Sequence, residues 1–219
     1  MVVERLRNPL FFRIDEKRDQ WPISFRGEFT SSLSFYHIIR QFLLSRGQDC
    51  PITQAPYALR KLLTTNWNND SHVKMLDLMS YGALLRSLNK SAHVNGLAVG
   101  LMDHRTKQMK EYDQRNGLSF TPYDIKDSTF TNLLTKNGPF DFIVCQPDGG
   151  INNFPQPANH TVELLRFYLN PGGILLTQYP GDRNTATRYM EDVRKLGLCN
   201  WIGFKPQTLF YPPVLMIQR

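Results

Sequence analysis

Five short apolar runs recur between residues 73 and 179, and in most of them both sets of alternating residues are apolar. Strands of this kind are typical of a parallel sheet that helices cover on both sides, because neither face then meets water. The runs are VKMLDL (73–78), GLAVGLMD (96–103), LSFTPYD (118–124), FDFIVCQ (140–146) and GGILLTQY (172–179). Their number and spacing predict a doubly wound, Rossmann-like α/β sheet.

Helical patterns lie between and after these runs. Residues 159–170 have apolar side chains at helical spacing, and the Pro-Gly-Gly at 171–173 predicts the end of this crossover helix. Residues 185–197 predict a further helix that ends at a glycine. The last runs, 200–204 and 213–218, are close enough in sequence to form an antiparallel hairpin. We therefore expect about seven strands, with helices on both faces of the sheet.

The first part of the chain has a different pattern. Residues 1–30 are basic and rich in aromatic side chains without a regular period, which predicts an irregular arm. Residues 33–44 fit one apolar helix face, and the Arg-Gly pair that follows predicts its end. We expect residues 1–51 to form this arm and helix, packed on a main domain of residues 52–219.

Composition excludes several classes of protein. Hydrophobic residues make up 41% of the 219, too many for a disordered chain. The mean hydropathy is −0.38, and no apolar run approaches the roughly 20 residues that a membrane span needs. The charged N-terminal stretch lacks the apolar segment of a signal peptide, so we expect an intracellular, cytoplasmic protein and no membrane partner.

Cysteine and histidine usage argues against a disulfide framework or a metal site. The three cysteines, Cys50, Cys145 and Cys199, are odd in number and far apart. The five histidines show no ligand spacing with cysteine or carboxylate residues. We expect no metal cofactor.

The charge balance favours a polyanionic partner. Twenty-six Lys and Arg residues face nineteen Asp and Glu residues, which gives a net charge of +7 and an isoelectric point near 9.4. RNA is a partner that suits this excess. Ordinary solubility charge explains it equally well at this point.

Seven strings follow one another in an informative order. They are APYALRKLL (55–63), MLDLMSYGALLRSL (75–88), GLAVGLMD (96–103), FTPYDIKD (120–127), FDFIVCQPD (140–148), LNPGGILLTQYPG (169–181) and FKPQTLFYPPVLMIQ (204–218). In this order they resemble the motifs of class I S-adenosylmethionine (SAM) methyltransferases, and more narrowly the FtsJ/RrmJ-like ribose 2′-O-methyltransferases of RNA. The resemblance covers roughly residues 52–219 and implies their fold.

The resemblance implies a Lys-Asp-Lys-Glu catalytic tetrad, of which this chain retains one member. Position by position, the tetrad falls on Lys61, Gln146, Gln178 and Leu215. Glutamine and leucine cannot supply a carboxylate or an ammonium group. Asp148 lies two residues beyond the expected aspartate and is a candidate replacement.

Two further readings concern the same region. Lys205 is a remote substitute for the second lysine of the tetrad. The Gln146-Pro147-Asp148 string and its two glycines also resemble, incompletely, the loop with which base N-methyltransferases hold an extrahelical amino group. A flexible glycine loop is the simpler interpretation.

The cofactor motifs are retained in part. The resemblance places a glycine-rich turn at Ser80, Tyr81 and Gly82, but only one glycine stands there. It implies that Asp103 accepts the ribose hydroxyls and that Asp124 and the adjoining Ile125 contact the adenine. Asp77 lies within the first strand of the same predicted site. SAM, or another adenosine ligand, therefore remains a candidate cofactor, and helix-capping acids are the alternative interpretation.

Basic residues in two places are candidates for RNA contact. Arg60, Lys61 and Arg183 are expected on the substrate side of the sheet, beyond the carboxyl ends of the strands. Arg13 and Arg18 alternate with aromatic residues in the N-terminal arm, where bases would stack. The alternative is that the aromatic residues of the arm are core and its charges solvated.

Two functions follow from these residues. The first is a methyltransferase-like domain that is catalytically degenerate and serves as an RNA-binding or partner-stabilising module in a capping or replication assembly. The second is an active SAM-dependent RNA methyltransferase, of the ribose 2′-O or cap type, that uses Lys61 and Asp148. The compact and degenerate pattern is compatible with a viral origin.

Overall fold

The computed structural model describes residues 37–51, 73–78, 82, 85–86, 94–103, 105–124, 127–145, 164–178, 183–205 and 214–219. The predicted N-terminal arm and the predicted short helix of residues 57–63 lie outside these ranges. Within the described part, no helix has the length and apolar composition to cross a membrane.

Seven strands of the described chain form one sheet in the order β3-β2-β1-β4-β5-β7-β6. They are β1 (Val73–Leu78), β2 (Val94–Gly100), β3 (Leu118–Pro122), β4 (Phe140–Cys145), β5 (Leu169–Gln178), β6 (Trp201–Lys205) and β7 (Val214–Gln218). Strands β1 to β5 pair in parallel, whereas β7 runs antiparallel to both β5 and β6. The predicted doubly wound sheet and its closing hairpin are confirmed.

Helices connect the strands and lie on both faces of the sheet. They are α1 (37–45 as described), α2 (Lys107–Arg115), α3 (Phe130–Asn137), a π-helical turn (Leu164–Tyr168) and α4 (Arg183–Lys195). Helix α1 ends where Gly47 takes a φ of 72°, as its sequence predicts. Residues 85 and 86, after β1, are also helical.

The apolar residues of the strands divide between two cores. On one face, α1 buries Ile38, Ile39 and Phe42 against the sheet, and the Phe42 ring meets the edge strand at Trp201, 5.0 Å away and edge to face. On the other face, α3 and α4 contribute a second buried layer that includes Phe130. Because β1, β4 and β7 are buried at nearly every position, both sets of their alternating residues lie in a core, whereas the edge strands β3 and β6 are partly exposed.

The second strand is shorter than predicted. Strand β2 ends at Gly100, and the next two residues, Leu101 and Met102, are 68% and 58% exposed. The last residue of β3 that pairs with β2 is Pro122, and the N–H of the next residue, Tyr123, still donates a 2.9 Å hydrogen bond to the carbonyl of Gly100. Asp103 therefore lies three residues beyond β2 and is not its last residue.

The fifth strand begins earlier than predicted, and the helix before it ends earlier. Strand β5 begins at Leu169, which pairs with Phe140 across a register shift in β4. The expected crossover helix over 159–170 therefore ends at Tyr168 as a π-helical turn. The Pro-Gly-Gly at 171–173 lies inside the strand, where an irregular register accommodates residues that a regular central strand excludes.

Candidate functional site

The carboxyl ends of the parallel strands meet at one edge of the sheet. In doubly wound folds, ligands bind outside this edge, near the point where the strand order reverses. Here the order reverses between β1 and β4, because β2 and β3 lie on one side of β1 and β4 lies on the other. The sequence-predicted residues of the described chain can be placed against this edge.

Asp77 lies inside the sheet. It is fully buried in β1, and its backbone neighbours are Ala98 in β2 and Val144 in β4. Burial, followed by the charge of Asp77, raises the pKa of the adjacent Cys145 thiol above its ordinary range. Cys145 is therefore a protonated core residue and not a reactive thiolate.

Gly82, after β1, adopts a backbone conformation that favours glycine. Gly82 has a φ of 81°, and a Cβ added to it would lie 3.3 Å from Nη1 of Arg86 and 3.4 Å from the Cβ of Ala98. Its carbonyl accepts a 2.9 Å hydrogen bond from the backbone N–H of Arg86. Gly82 thus has a positive φ shortly before the helical residues 85 and 86, and the cofactor role that the resemblance gives this turn stays a prediction.

Asp103 is held by cations. Its Oδ1 accepts hydrogen bonds from the backbone N–H of Arg105 (3.1 Å) and from Nε of the same residue (2.9 Å). Its Oδ2 accepts from Nη2 of Arg105 (3.1 Å) and lies 3.1 Å from the Lys110 ammonium. These contacts, the Arg105 side chain foremost, lower the pKa of Asp103 well below its usual range.

Arg105 in turn belongs to a buried network. Its Nη1 donates a 3.0 Å hydrogen bond to Oδ2 of Asp113 in α2, and its guanidinium lies 4.6 Å from the ring centre of Phe120 in β3. Asp113 also accepts two hydrogen bonds, of 3.1 and 3.0 Å, from Nη1 of Arg86. The network therefore connects the turn after β1 with the loop after β2.

Sequence reasoning missed this network. Its members are far apart in the chain, and no spacing pattern joins Arg86 to Arg105. One signal was available, because Asp113 follows Met109 by four residues and so falls on the buried face of α2. An acid on the apolar stripe of a helix indicates a buried partner.

Asp124 lies two residues beyond β3 and is exposed. Its carbonyl accepts the backbone N–H of Asp127 at 3.0 Å. Asp127 lies in the turn before α3, and its Oδ1 accepts from the N–H and the hydroxyl of the N-cap residue Thr129, each at 2.8 Å. Those hydrogen bonds lower the pKa of Asp127.

At the other end of the edge lies Leu215, the residue on which the resemblance places the last member of the tetrad. Leu215 is fully buried in β7, paired with Thr177 in β5 and Phe204 in β6. One register position away, Gln178 pairs with Val214, which also pairs with Lys205.

Lys205 brings a cation to this end of the edge. It is half-buried, which lowers its pKa. Burial, together with the charges of Lys205 and Arg40, lowers the pKa of His37 to about 4. The β7–β6 end of the edge thus holds a buried leucine and a lysine whose Nζ is also buried, where the resemblance implies a carboxylate.

The remaining predicted residues are described by their backbone alone or lie outside the described residues. Arg183 is the first residue of α4, which follows β5, and its expected place on the substrate side stays a prediction. The other candidates lie outside the described residues and stay predictions: Arg13, Arg18, Arg60, Lys61, Ser80, Tyr81, Ile125, Gln146 and Asp148. Among the described residues, no group of three His, Cys, Asp or Glu side chains is placed to hold a metal ion.

Solved structures match this architecture. The N-terminal domain of human METTL16 in complex with SAH is 14% identical, with a TM-score of 0.52 over 83% of this chain and 82% of that one. A SAM-dependent methyltransferase from Agrobacterium tumefaciens is 13% identical, with a TM-score of 0.51 over 77% of this chain and 63% of its own. The chain has the class I methyltransferase fold.

Sequence comparisons find no relatives. No protein-family model matches the chain. No curated protein matches it. The chain spans only 50% to 63% of the length of four of the matched methyltransferase structures.

Proposed function

We propose that this chain is an RNA-associated domain with the methyltransferase fold that has lost the groups for ribose methylation. The FtsJ-like order of its sequence strings and its net charge of +7 support association with RNA. A capping or replication assembly is the setting that such a module suits, with RNA or a protein as its partner there.

The observation that carries this proposal is the place of Leu215. Ribose methylation depends on charged side chains around the 2′-hydroxyl, which position it and help remove its proton. Leu215, on which or within a residue of which the resemblance places the family's glutamate, has no exposed surface and is enclosed by β5 and β6. Nothing charged reaches the substrate from that position.

The same end of the edge suits a phosphate backbone. Lys205 ends β6 beside Val214, and Arg183 begins α4 just beyond β5. Arg183 at this end favours a polyanion over a neutral substrate. Together with Arg60, Lys61, Arg13 and Arg18, it would form a basic path for single-stranded RNA.

Binding to a fluorescein-labelled single-stranded RNA, followed by anisotropy at increasing salt, tests this role. We expect affinity to fall steeply with salt and Arg183→Gln to weaken binding by roughly threefold to tenfold. Lys195→Gln is the matched control, because Lys195 is exposed at the far end of α4 and pairs with Asp192. Binding that depends neither on the salt concentration nor on Arg183 would contradict the proposal.

An active SAM-dependent RNA methyltransferase is the second candidate. Lys205 favours it, because a cation in the same register row as Gln178 and Val214 could replace the missing lysine. In this case Lys61 and Asp148 are catalytic, and Lys61→Ala lowers turnover by orders of magnitude while SAM binding stays intact. Transfer of a labelled methyl group from SAM to RNA decides between the candidates, since the first predicts none.

A further inference from the structure

The loop after β2 carries an acid where Rossmann-like folds bind ribose. In such folds, a carboxylate following the second strand accepts hydrogen bonds from the ribose hydroxyls. Asp103 stands in this loop, and its side chain is 26% exposed. A carboxylate offers about four acceptor positions, two on each oxygen.

Every one of these positions already has a donor. Arg105 supplies three, through its backbone N–H, Nε and Nη2, and Lys110 supplies the fourth. A ribose diol needs two of them, so it cannot bind Asp103 unless donors leave.

The two cations differ in how easily they leave. Lys110 is 51% exposed, and its ammonium can return to water. Arg105 is only 11% exposed, donates to Asp113 and lies over the ring of Phe120. Moving Arg105 would break contacts with all three neighbours at once, and a buried ion pair opens at a high cost.

We propose that Arg105 is a specificity-determining residue that occupies the ribose-accepting carboxylate of Asp103 and thereby excludes nucleosides with a free 2′,3′-diol. The excluded class includes SAM and its product S-adenosylhomocysteine. The proposal concerns nucleoside binding and is independent of RNA association.

Arg105→Ala is the decisive variant, because it frees one position on each oxygen of Asp103. The fold should survive, since Asp113 keeps its two hydrogen bonds from Arg86. Lys110→Ala is the matched control, because it frees a single position on Oδ2. Calorimetry with S-adenosylhomocysteine and with adenosine measures the effect, and melting temperatures verify folding.

We expect the wild type to give no binding heat up to about 1 mM ligand, and Arg105→Ala to bind at least about tenfold more tightly than that limit. Lys110→Ala should stay within about twofold of the wild type. The gain should vanish with 2′,3′-dideoxyadenosine, which lacks the diol. A gain in ligand affinity cannot result from a loss of stability of the variant.

Two results would overturn the proposal. One is micromolar binding of S-adenosylhomocysteine by the wild type, and the other is a folded Arg105→Ala protein that gains no affinity. If Arg105→Ala does not fold, Arg105→Gln is measured in its place with the same two outcomes. RNA anisotropy on the same preparations is unaffected by either result, so failure here is distinguishable from failure of the RNA-binding role.

Discussion

The two ends of the carboxyl edge of the sheet differ in the charged side chains that they carry. At the β2 end, the acid that the fold would present to a nucleoside is retained, and Arg105 and Lys110 bind it. At the β7–β6 end, the position to which the resemblance carries an acid is Leu215, which is fully buried, and Lys205 ends the strand that pairs with β7.

The difference shows two ways in which a binding edge can become closed. A retained acid can be satisfied within the protein, and this preserves the sequence motif while removing its function. A replaced acid alters the motif itself, so that the sequence already reports the loss. Only the second kind is visible before the structure is known.

The largest expected effect is on the ion network of the β2 end. Asp113→Ala leaves Arg86, which is almost fully buried, without its carboxylate. Removal of one partner from a buried pair costs about 3–5 kcal/mol. Urea unfolding measures it, with Asp192→Ala as the control, because the exposed Asp192–Lys195 pair should contribute less than about 1 kcal/mol. Equal effects at both sites would show that the network is not a buried one.

The opposite end is tested by restoring the acid. Leu215→Glu is expected to lower the free energy of unfolding by about 3 kcal/mol, because apolar burial is lost and a carboxyl group has to be buried. Leu215→Met, which keeps volume and polarity, should cost less than about 1.5 kcal/mol. A Glu variant as stable as the Met variant would mean that this end is open to solvent.

A smaller effect is expected at the turn that joins β1 to the network. Gly82→Ala places a side chain at a positive φ and beside the Arg86 guanidinium. We expect a loss of about 1–2 kcal/mol in thermal or urea unfolding. No loss would indicate that the turn can take another conformation, and the account of its single glycine would then be wrong.

The smallest effect concerns pH at the β6 end. The pKa of His37 falls from 6.5 in the unfolded chain to about 4, so protonation favours the unfolded state. Its contribution to stability is complete above about pH 6.5 and is lost as the pH falls towards 4. Discounted for partial exposure, the difference between wild type and His37→Gln over this interval should be about 1 kcal/mol. If the free energy of unfolding changed with pH in the same way in the wild type and in His37→Gln, this prediction would be wrong.

The sequence predicts the strands of this fold better than it predicts the candidate site. Strand β1 occupies the residues predicted for it, since an apolar run between turn residues has one regular solution in a covered sheet. The ends of β2 and β5 were not predictable in the same way. They depend on where the neighbouring strand β3 ends and on the register shift near Phe140 in β4, and a pattern within one segment contains neither.

The site shows the same limit more strongly. The loss of the acid at Leu215 follows from comparing residue types with the family motif. The occupation of Asp103 depends on three-dimensional contacts with Arg105 and Lys110, and on the anchoring of Arg105 by Asp113. Motif positions therefore report which groups are present, whereas packing decides which of them are available.

A titration of the Asp103 carboxyl carbon by NMR tests the central contrast most directly. With Arg105 and Lys110 in place, the pKa of this group lies well below its usual range, so its signal should show no inflection between about pH 7 and 3. In Arg105→Ala the same signal should titrate at a higher pH, closer to that of an ordinary aspartate. An ordinary titration near pH 4 in the wild-type protein would contradict the account, because Asp103 would then be available to a ligand.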